Sequence, residues 1–519
     1  MSRASVESRD PATGEIWRSY DAPTAGDVAL AVERARATQP AWAALPLRER
    51  ALVIDRFRTI LFRRRDEVAQ LLHRETGKPA AEAMMTEIMV ALDLARYYAR
   101  SARHTLSPQS LTPFNVAMWR KRVRITNEPY GIIGIISPWN YPFMLPAGVL
   151  IPALIAGNSV VIKPSELTPT SGVLLGELMR DAGVPAGVLA VLPGDGQTGA
   201  ALASSAIDKL FFTGSVATGR RVAVACAERL IPCVLELGGS DPAIVLEDAD
   251  IETAASGILW GRFSNAGQTC VAPKRVFVVD AVYDRFIERL AAAVRALRAG
   301  GGSDGDAGDM GPLIRPRQAE QLAQQLADAV GRGARLLAGG SRSGADGALL
   351  APSLIDNVTP AMQVMREETF GPVLPVVRVR DSEEAVRRAN ESPFGLSASI
   401  WSRDLTRARA LARQIHAGTV MVNDSVTLVG IAEVPHGGVK ESGSGRSHGR
   451  AGLLECVGTK TIVVDWLPGV RQPWWFGYGA DREGNLDAFV RLWHGASLRE
   501  RAGGVWRSIR MLLVHERPL

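Results

Sequence analysis

Cysteine is scarce in this chain: Cys226, Cys233, Cys270 and Cys456 are all that 519 residues contain. They show neither CxxC nor Cys/His ligand spacing, so no metal site and no disulfide framework is read, and a reducing compartment fits best. The opening "MSRASVESRD" lacks the apolar segment of a secretory signal, so the expected location is the cytoplasm. An unbroken apolar run is lacking too. Residues 129–162 carry no charge, but Pro138, Pro142, Pro146 and Pro152 divide them into strand, loop, buried helix and strand. Lysine is rare beside arginine. The net charge of +6 comes from scattered arginines without aromatic interleaving or a finger motif, so no nucleic-acid partner is expected.

What is present is 46% hydrophobic content spread over a length that exceeds one simple core. From Thr24 to about Arg103, apolar residues recur at three and four positions, the period of amphipathic helices. Short apolar runs follow: "GIIGIIS", "SVVIK", "VLAVLPG", "KLFFTG" and "CVLELGG". They alternate with helical stretches, the pattern of parallel βαβ units. A second α/β unit is read from about Ser240 to Gly437. The glycine-rich pieces "AGGGSDGDAGDMG" and "AGGSRSGADGA" read as surface turns. Beyond "TKTIVVDW" the chain becomes aromatic and arginine-rich with helical periodicity.

Chemistry is concentrated in four places. In "FSNAGQTCVAPKR", Cys270 follows small polar residues that let backbone approach a ligand, whereas Cys226 and Cys233 sit beside aliphatics. A thiol ionises far more readily than the hydroxyls of Ser264 or Thr269, so Cys270 is the candidate nucleophile. In "LELGGSDPAIV", Glu236 ends an apolar strand. It reads equally as a general base and as a strand-end carboxylate paired with an arginine. In "SPWNYPF", Asn140 stands between prolines, either as an amide aimed at a developing oxyanion or as a turn residue. In "FFTGSVATG", Gly214, Ser215 and Gly219 open a helix whose N–H groups suit a pyrophosphate. Lys163 in "VVIKPSE", one of few lysines in an arginine-rich chain, offers a compact ammonium rather than a planar fork.

Together with "EETFGPVLPV" and "HGGVKESGSGR", and in this order, these segments resemble the NAD(P)-dependent aldehyde dehydrogenase superfamily, over nearly the whole chain to about Trp466. The resemblance implies a Rossmann-like doubly wound cofactor domain (1–110 and 130–237), a second α/β catalytic domain (238–440) and a small β oligomerisation extension (111–129 and 455–467). A tail occupies 468–519. It implies catalysis by Cys270, with the Asn140 amide holding the oxyanion and Glu236 activating water against a Cys270 thioester. It further implies that Lys163 and Glu166 meet the adenosine ribose and that Gly214, Ser215 and Gly219 lie near the pyrophosphate. Glu368 and Phe370 would hold the nicotinamide riboside, with Ile136, Trp139 and Leu237 lining the cleft. An acidic residue at 166 favours NAD over NADP.

Three departures stand out: Ser447 and His448 replace the usual glutamate neighbourhood after "SGSGR", no lysine follows Asn140, and His436 replaces an aromatic in "PHGG". The expected substrate is a medium- or long-chain or aromatic aldehyde, taken against a wall of Phe143, Met144, Leu145 and Val149. Other readings are a semialdehyde dehydrogenase with a polar substrate, a silent homologue, and a cofactor-independent cysteine hydrolase, for which no histidine motif lies near Cys270. A homodimer or homotetramer is expected through exposed strands. The tail, with Trp493, Leu498, Trp506, Ile509 and Leu512 as its apolar side, has three readings: a cover over the substrate entrance, peripheral membrane contact, or packing on a partner subunit.

Overall fold

The computed structural model describes residues 4–300, 308–344, 347–469, 472, 474–476 and 480–513. Two compact units emerge, residues 1–106 with 128–458 and residues 107–127 with 459–519.

In the larger unit, four helices, Ala25–Ala44, Leu47–Arg63, Arg65–Thr76 and Met89–Leu106, realise the amphipathic period of the N-terminal third. Helix Leu47–Arg63 turns Val53, Ile54, Phe57 and Leu61 inward, while buried Arg50 donates from Nε to the Ile155 carbonyl at 2.8 Å. Ahead of these helices an antiparallel hairpin, Ser5–Arg9 with Ile16–Asp21, occupies a stretch that the sequence reading left unassigned.

A six-stranded sheet runs in the order Gly443–Ser444, Cys233–Glu236, Lys209–Thr213, Ile132–Ile136, Ser159–Lys163, Leu189–Val191. Only Gly443–Ser444 is antiparallel. The chain winds outward from Ile132–Ile136 first to one side and then to the other. The crevice beyond the carboxyl ends at that switch point is where ligands bind in such sheets. Ile136, Lys163, Gly214 and Leu237 all lie at or just past those ends. Strand Ile132–Ile136 is buried at every residue, as a continuous apolar run in a covered parallel sheet should be. Helix Met144–Ala156 is likewise buried on all sides, which accounts for the charge-free stretch.

The second sheet has seven strands, in the order Arg335–Ala338, Ser353–Asp356, Val373–Val379, Pro273–Val279, Asp241–Val245, Ser397–Trp401, Thr419–Val422. Only Arg335–Ala338 is antiparallel. The expected boundary at 440 left 441–454 unassigned. Strand Gly443–Ser444 returns to pair with Leu235 and Glu236 of the first sheet, and helix Gly449–Leu454 follows it. Of the glycine-rich pieces, residues 301–307 lie outside the described residues. The second carries a short hairpin, Arg342–Ser343 with Leu349–Leu350, rather than only a turn.

The smaller unit is a three-stranded sheet, Val457–Asp465, Lys121–Pro129, Gln109–Leu111, with helices Ala480–His494 and Leu498–Leu513. Ile462, Val463 and Val464 are exposed on the edge strand. Trp493 is not on a free apolar side: it stacks on Phe489 and meets Phe114 edge-on. Leu498, Trp506 and Ile509 are exposed, and the Leu512 side chain lies outside the described residues. No helix among the described residues is long and apolar enough to cross a membrane.

Candidate active site

Helix Ile251–Phe263 ends in a tight turn, Ser264–Gly267, in which Asn265, Ala266 and Gly267 all take positive φ (52°, 53° and 72°). Left-handed Asn is tolerated and left-handed Ala is costly, so surrounding bonds must impose the turn. They do. Asn265 Nδ2 donates to the Asn140 carbonyl at 2.8 Å and to the Gln268 carbonyl at 3.2 Å, while Gln268 Nε2 donates back to the Asn265 carbonyl at 3.0 Å. A Cβ on Gly267 would stand 2.5 Å from the Gly371 backbone. The turn delivers Cys270 to the start of strand Pro273–Val279, where Lys274 Nζ donates to the carbonyls of Thr269 (3.0 Å) and Cys270 (2.6 Å).

Asn140 is buried at the hub of this arrangement. Its Nδ2 donates to the Gln268 carbonyl at 3.0 Å, and its own carbonyl also accepts Lys78 Nζ at 2.9 Å. Lys78 is fully buried, paired with Glu87 Oε1 at 2.6 Å. The other Glu87 oxygen accepts the backbone N–H groups of Phe143 and Met144. Neither Lys78 nor Glu87 was singled out from the sequence, nor was Lys274. The available signal was the rarity of lysine, which had drawn attention only to Lys163.

Cys270 lines a cavity of about 320 Å³ with Tyr141, Met144, Leu145, Trp260, Val271 and Val429 among its walls, and with Met85 and Met89 from the turn Met84–Ile88 and the helix after it. Phe143 and Val149, expected on this wall, instead fill the core beneath it, because helix Met144–Ala156 presents a different face. No arginine or lysine lines the cavity. Burial pushes the Cys270 thiol up to about 12. Lys274 opposes the rise, and Glu368, Glu236 and Asp241 add to it.

Glu236 is buried where strand Cys233–Glu236 ends. It pairs with neither an arginine nor solvent: Oε2 lies 3.4 Å from His436 Nε2, and Oε1 is buried with no hydrogen-bond partner. His436 also lines the Cys270 cavity. The fold thus supplies the histidine near Cys270 that local sequence did not show. Behind it His448 packs with ring centroids 6.0 Å apart, pushed down to about 3 by burial and by His436, hence neutral.

The remaining residues form a second cluster. Glu368 Oε1 accepts the Gly239 N–H at 3.0 Å and lies 3.8 Å from Lys274 Nζ; burial raises its carboxyl. Phe370 meets Trp139 edge-on at 5.5 Å. Buried Arg262 holds their loop by donating from Nη2 to the carbonyls of Thr369 and Gly371. Ser215 caps helix Val216–Glu228, accepting the Thr218 N–H. A Cβ on Gly219 would collide with Leu237, so only glycine lets that helix start approach the sheet so closely. Lys163 and Glu166 pair with each other at 3.0 Å. Partial burial works to raise the Glu166 carboxyl, but Lys163 and Arg315 bring it below the ordinary range.

A strand-end glycine turn opening a capped helix at the switch point, with a lysine at, and a carboxylate just past, the end of the strand on the other side of Ile132–Ile136, fits a dinucleotide. Among the described residues no cluster of His, Cys, Asp or Glu could hold a metal ion.

The comparisons agree with this geometry. The chain is 36% identical over 490 residues to a 4,4'-diapolycopene aldehyde oxidase from Methylomonas sp, covering 94% of this chain and 91% of that protein. It is 39% identical to a Mycolicibacterium smegmatis protein provisionally named a succinate-semialdehyde dehydrogenase, NADP(+), covering 87% of each. A crystal structure of Mycobacterium tuberculosis aldehyde dehydrogenase complexed with NAD+ superposes with a TM-score of 0.85 at 34% identity, covering 92% of this chain and 96% of that one. The model of the aldehyde dehydrogenase family matches residues 1–462. With this match and an apolar cavity that Cys270 lines, the chain belongs to the aldehyde dehydrogenase family.

Proposed function

We propose that the protein oxidises a medium- or long-chain or aromatic aldehyde to its carboxylic acid, with NAD as acceptor and Cys270 as nucleophile. The observation that carries this reading is the sulfur of Cys270 on the wall of an apolar cavity, with Glu236 close enough to act on it electrostatically. Because burial holds the thiol neutral, its proton must be lost to water as the sulfur attacks the aldehyde carbon, which leaves Glu236 free for the later hydrolysis. One N–H of the Asn140 amide is spent on Gln268, and the other faces the oxygen that becomes negative in the thiohemiacetal. Lys163, Glu166, Ser215 and the helix start after it, Trp139, Glu368 and Phe370 hold the dinucleotide, which supplies the two-electron acceptor when bound. The resulting Cys270 thioester is hydrolysed by water that gives its proton to Glu236.

A cavity of about 320 Å³ falls at the lower end of the roughly 300–1,000 Å³ range of small-molecule sites, and apolar walls reward each buried methylene by about 0.8 kcal/mol. The expected result is therefore a kcat/KM that rises from acetaldehyde to decanal, followed by NADH absorbance; a flat or falling series refutes the substrate class. Glu166, held ionised by its neighbours, accepts from a free ribose hydroxyl and supports NAD. The contrary reading is an NADP-linked semialdehyde dehydrogenase. Its support is the Mycolicibacterium smegmatis relative's name and the closeness of Lys163 and Arg315 to Glu166, cations suited to a 2′-phosphate. Against a polar substrate stands the lack of a basic side chain in the cavity wall. Initial rates with the two cofactors decide the first point, and succinic semialdehyde against decanal the second. Exposed Ile462, Val463 and Val464 support subunit pairing through the edge strand. Exposed Leu498, Trp506 and Ile509, with arginines along the same helix, support peripheral lipid contact by the tail.

A further inference from the structure

We propose that His436 is a positioning residue for Glu236, bracing one carboxylate oxygen so that the other is presented to the water that hydrolyses the Cys270 thioester. The inference rests on the reading of Glu236 as the hydrolytic base.

Three observations carry it. First, His436 Nε2 lies 3.4 Å from Glu236 Oε2, in polar contact rather than hydrogen-bonded, and both side chains are buried. Second, the remaining oxygen, Oε1, is buried and makes no hydrogen bond to the described residues, so it is available to a water molecule. Third, the histidine is fixed in place. Its backbone N–H and carbonyl both bond to Ser447 at 2.8 Å, and its ring packs beside His448. His448 in turn backs onto Gly148, where any Cβ would strike its ring.

The groups that face this pair set the charge balance. Glu236 is faced by His436, Cys270 and the phenol of Tyr98; His436 is faced by Glu236 and neutral His448. Among the described residues that line the cavity, His436 is the one in polar contact with Glu236. In the step itself, water's O–H bond breaks and its proton goes to Oε1, while the oxygen bonds to the acyl carbon. The C–S bond then breaks and the departing sulfur takes the proton from Glu236. His436 stays against Oε2 throughout. The two departures noted in the sequence, histidine at 436 and the Ser447–His448 pair, are thereby one device assembled from segments twelve residues apart.

The test uses the full-length protein with NAD and a good aldehyde, comparing His436→Phe with His436→Gln, whose amide retains an N–H donor. His436→Phe should keep a first-turnover burst of NADH while steady-state kcat falls on the order of ten-fold or more. His436→Gln should recover most of the steady-state kcat. Unchanged kcat in His436→Phe overturns the proposal, as does loss of burst and turnover alike in both variants. Glu236→Gln separates the two levels of the argument: if it turns over like the parent protein, the base assignment itself fails; if it alone stalls after the burst, only the role of His436 fails.

Discussion

The thiol of Cys270 sits among three carboxylates that resist its ionisation and one buried lysine that favours it, and burial outweighs the lysine. With its pKa pushed up to about 12, the thiolate remains a minor species across the working range. Inactivation of the cofactor-free protein by iodoacetamide is therefore expected to climb roughly ten-fold per pH unit from pH 7 to 9 without levelling. A plateau below pH 8 would contradict the arrangement. Asn140→Ala removes the amide while leaving its carbonyl to Lys78 and Asn265, so kcat should fall about 10²- to 10³-fold with KM little changed. Steady-state kinetics check this, and a loss confined to KM would show that the amide only binds. At this scale the sequence made the nucleophile legible because its neighbours are too small and polar to form core. It hid Lys78, Glu87 and Lys274, whose partners, such as the Asn140 carbonyl, are near only in space and whose own neighbourhoods in the chain look ordinary; it marked His436 as a departure but not its place beside Glu236.

Elements were more readable than residues. The five parallel strands of the first sheet were legible as apolar runs, clearest in Ile132–Ile136 and Ser159–Lys163, where burial on both faces leaves no polar alternation to mislead. The N-terminal hairpin was not, since its strands are mostly exposed and short. Strand Gly443–Ser444, only two residues long, gives no pattern of its own and exists because Leu235 and Glu236 offer an edge. The turn Ser264–Gly267 is the element on which the site depends, and it yields a prediction. Gly267→Ala must place a Cβ at positive φ against the Gly371 backbone, and should destabilise by on the order of 2 kcal/mol while displacing Cys270. Gly331→Ala, near the end of helix Pro316–Gly331 with nothing within 4 Å of the new methyl, should be neutral or slightly stabilising. Denaturant melts of the two variants provide the comparison; equal stabilities would show that the turn is not constrained as described.

For the whole molecule, the doubly wound layout and its family were legible from ordered segments spread along the chain. The pairing of Gly443–Ser444 with the first sheet was not, because it follows the second sheet in sequence. Edge strand Val457–Asp465 exposes consecutive aliphatics, a surface that a single chain would ordinarily blunt with charge. Ile462→Asp with Val464→Asp should lower the mass measured by light scattering to that of one chain, and an unchanged mass would place the subunit contact elsewhere. All of these arguments converge on a covalent event at one sulfur. The most direct test is intact and peptide mass spectrometry of Glu236→Gln protein quenched in acid during reaction with NAD and decanal. The account predicts a decanoyl adduct on the peptide that carries Cys270; aldehyde oxidation that proceeds with no adduct there, and that survives in Cys270→Ala, would contradict it.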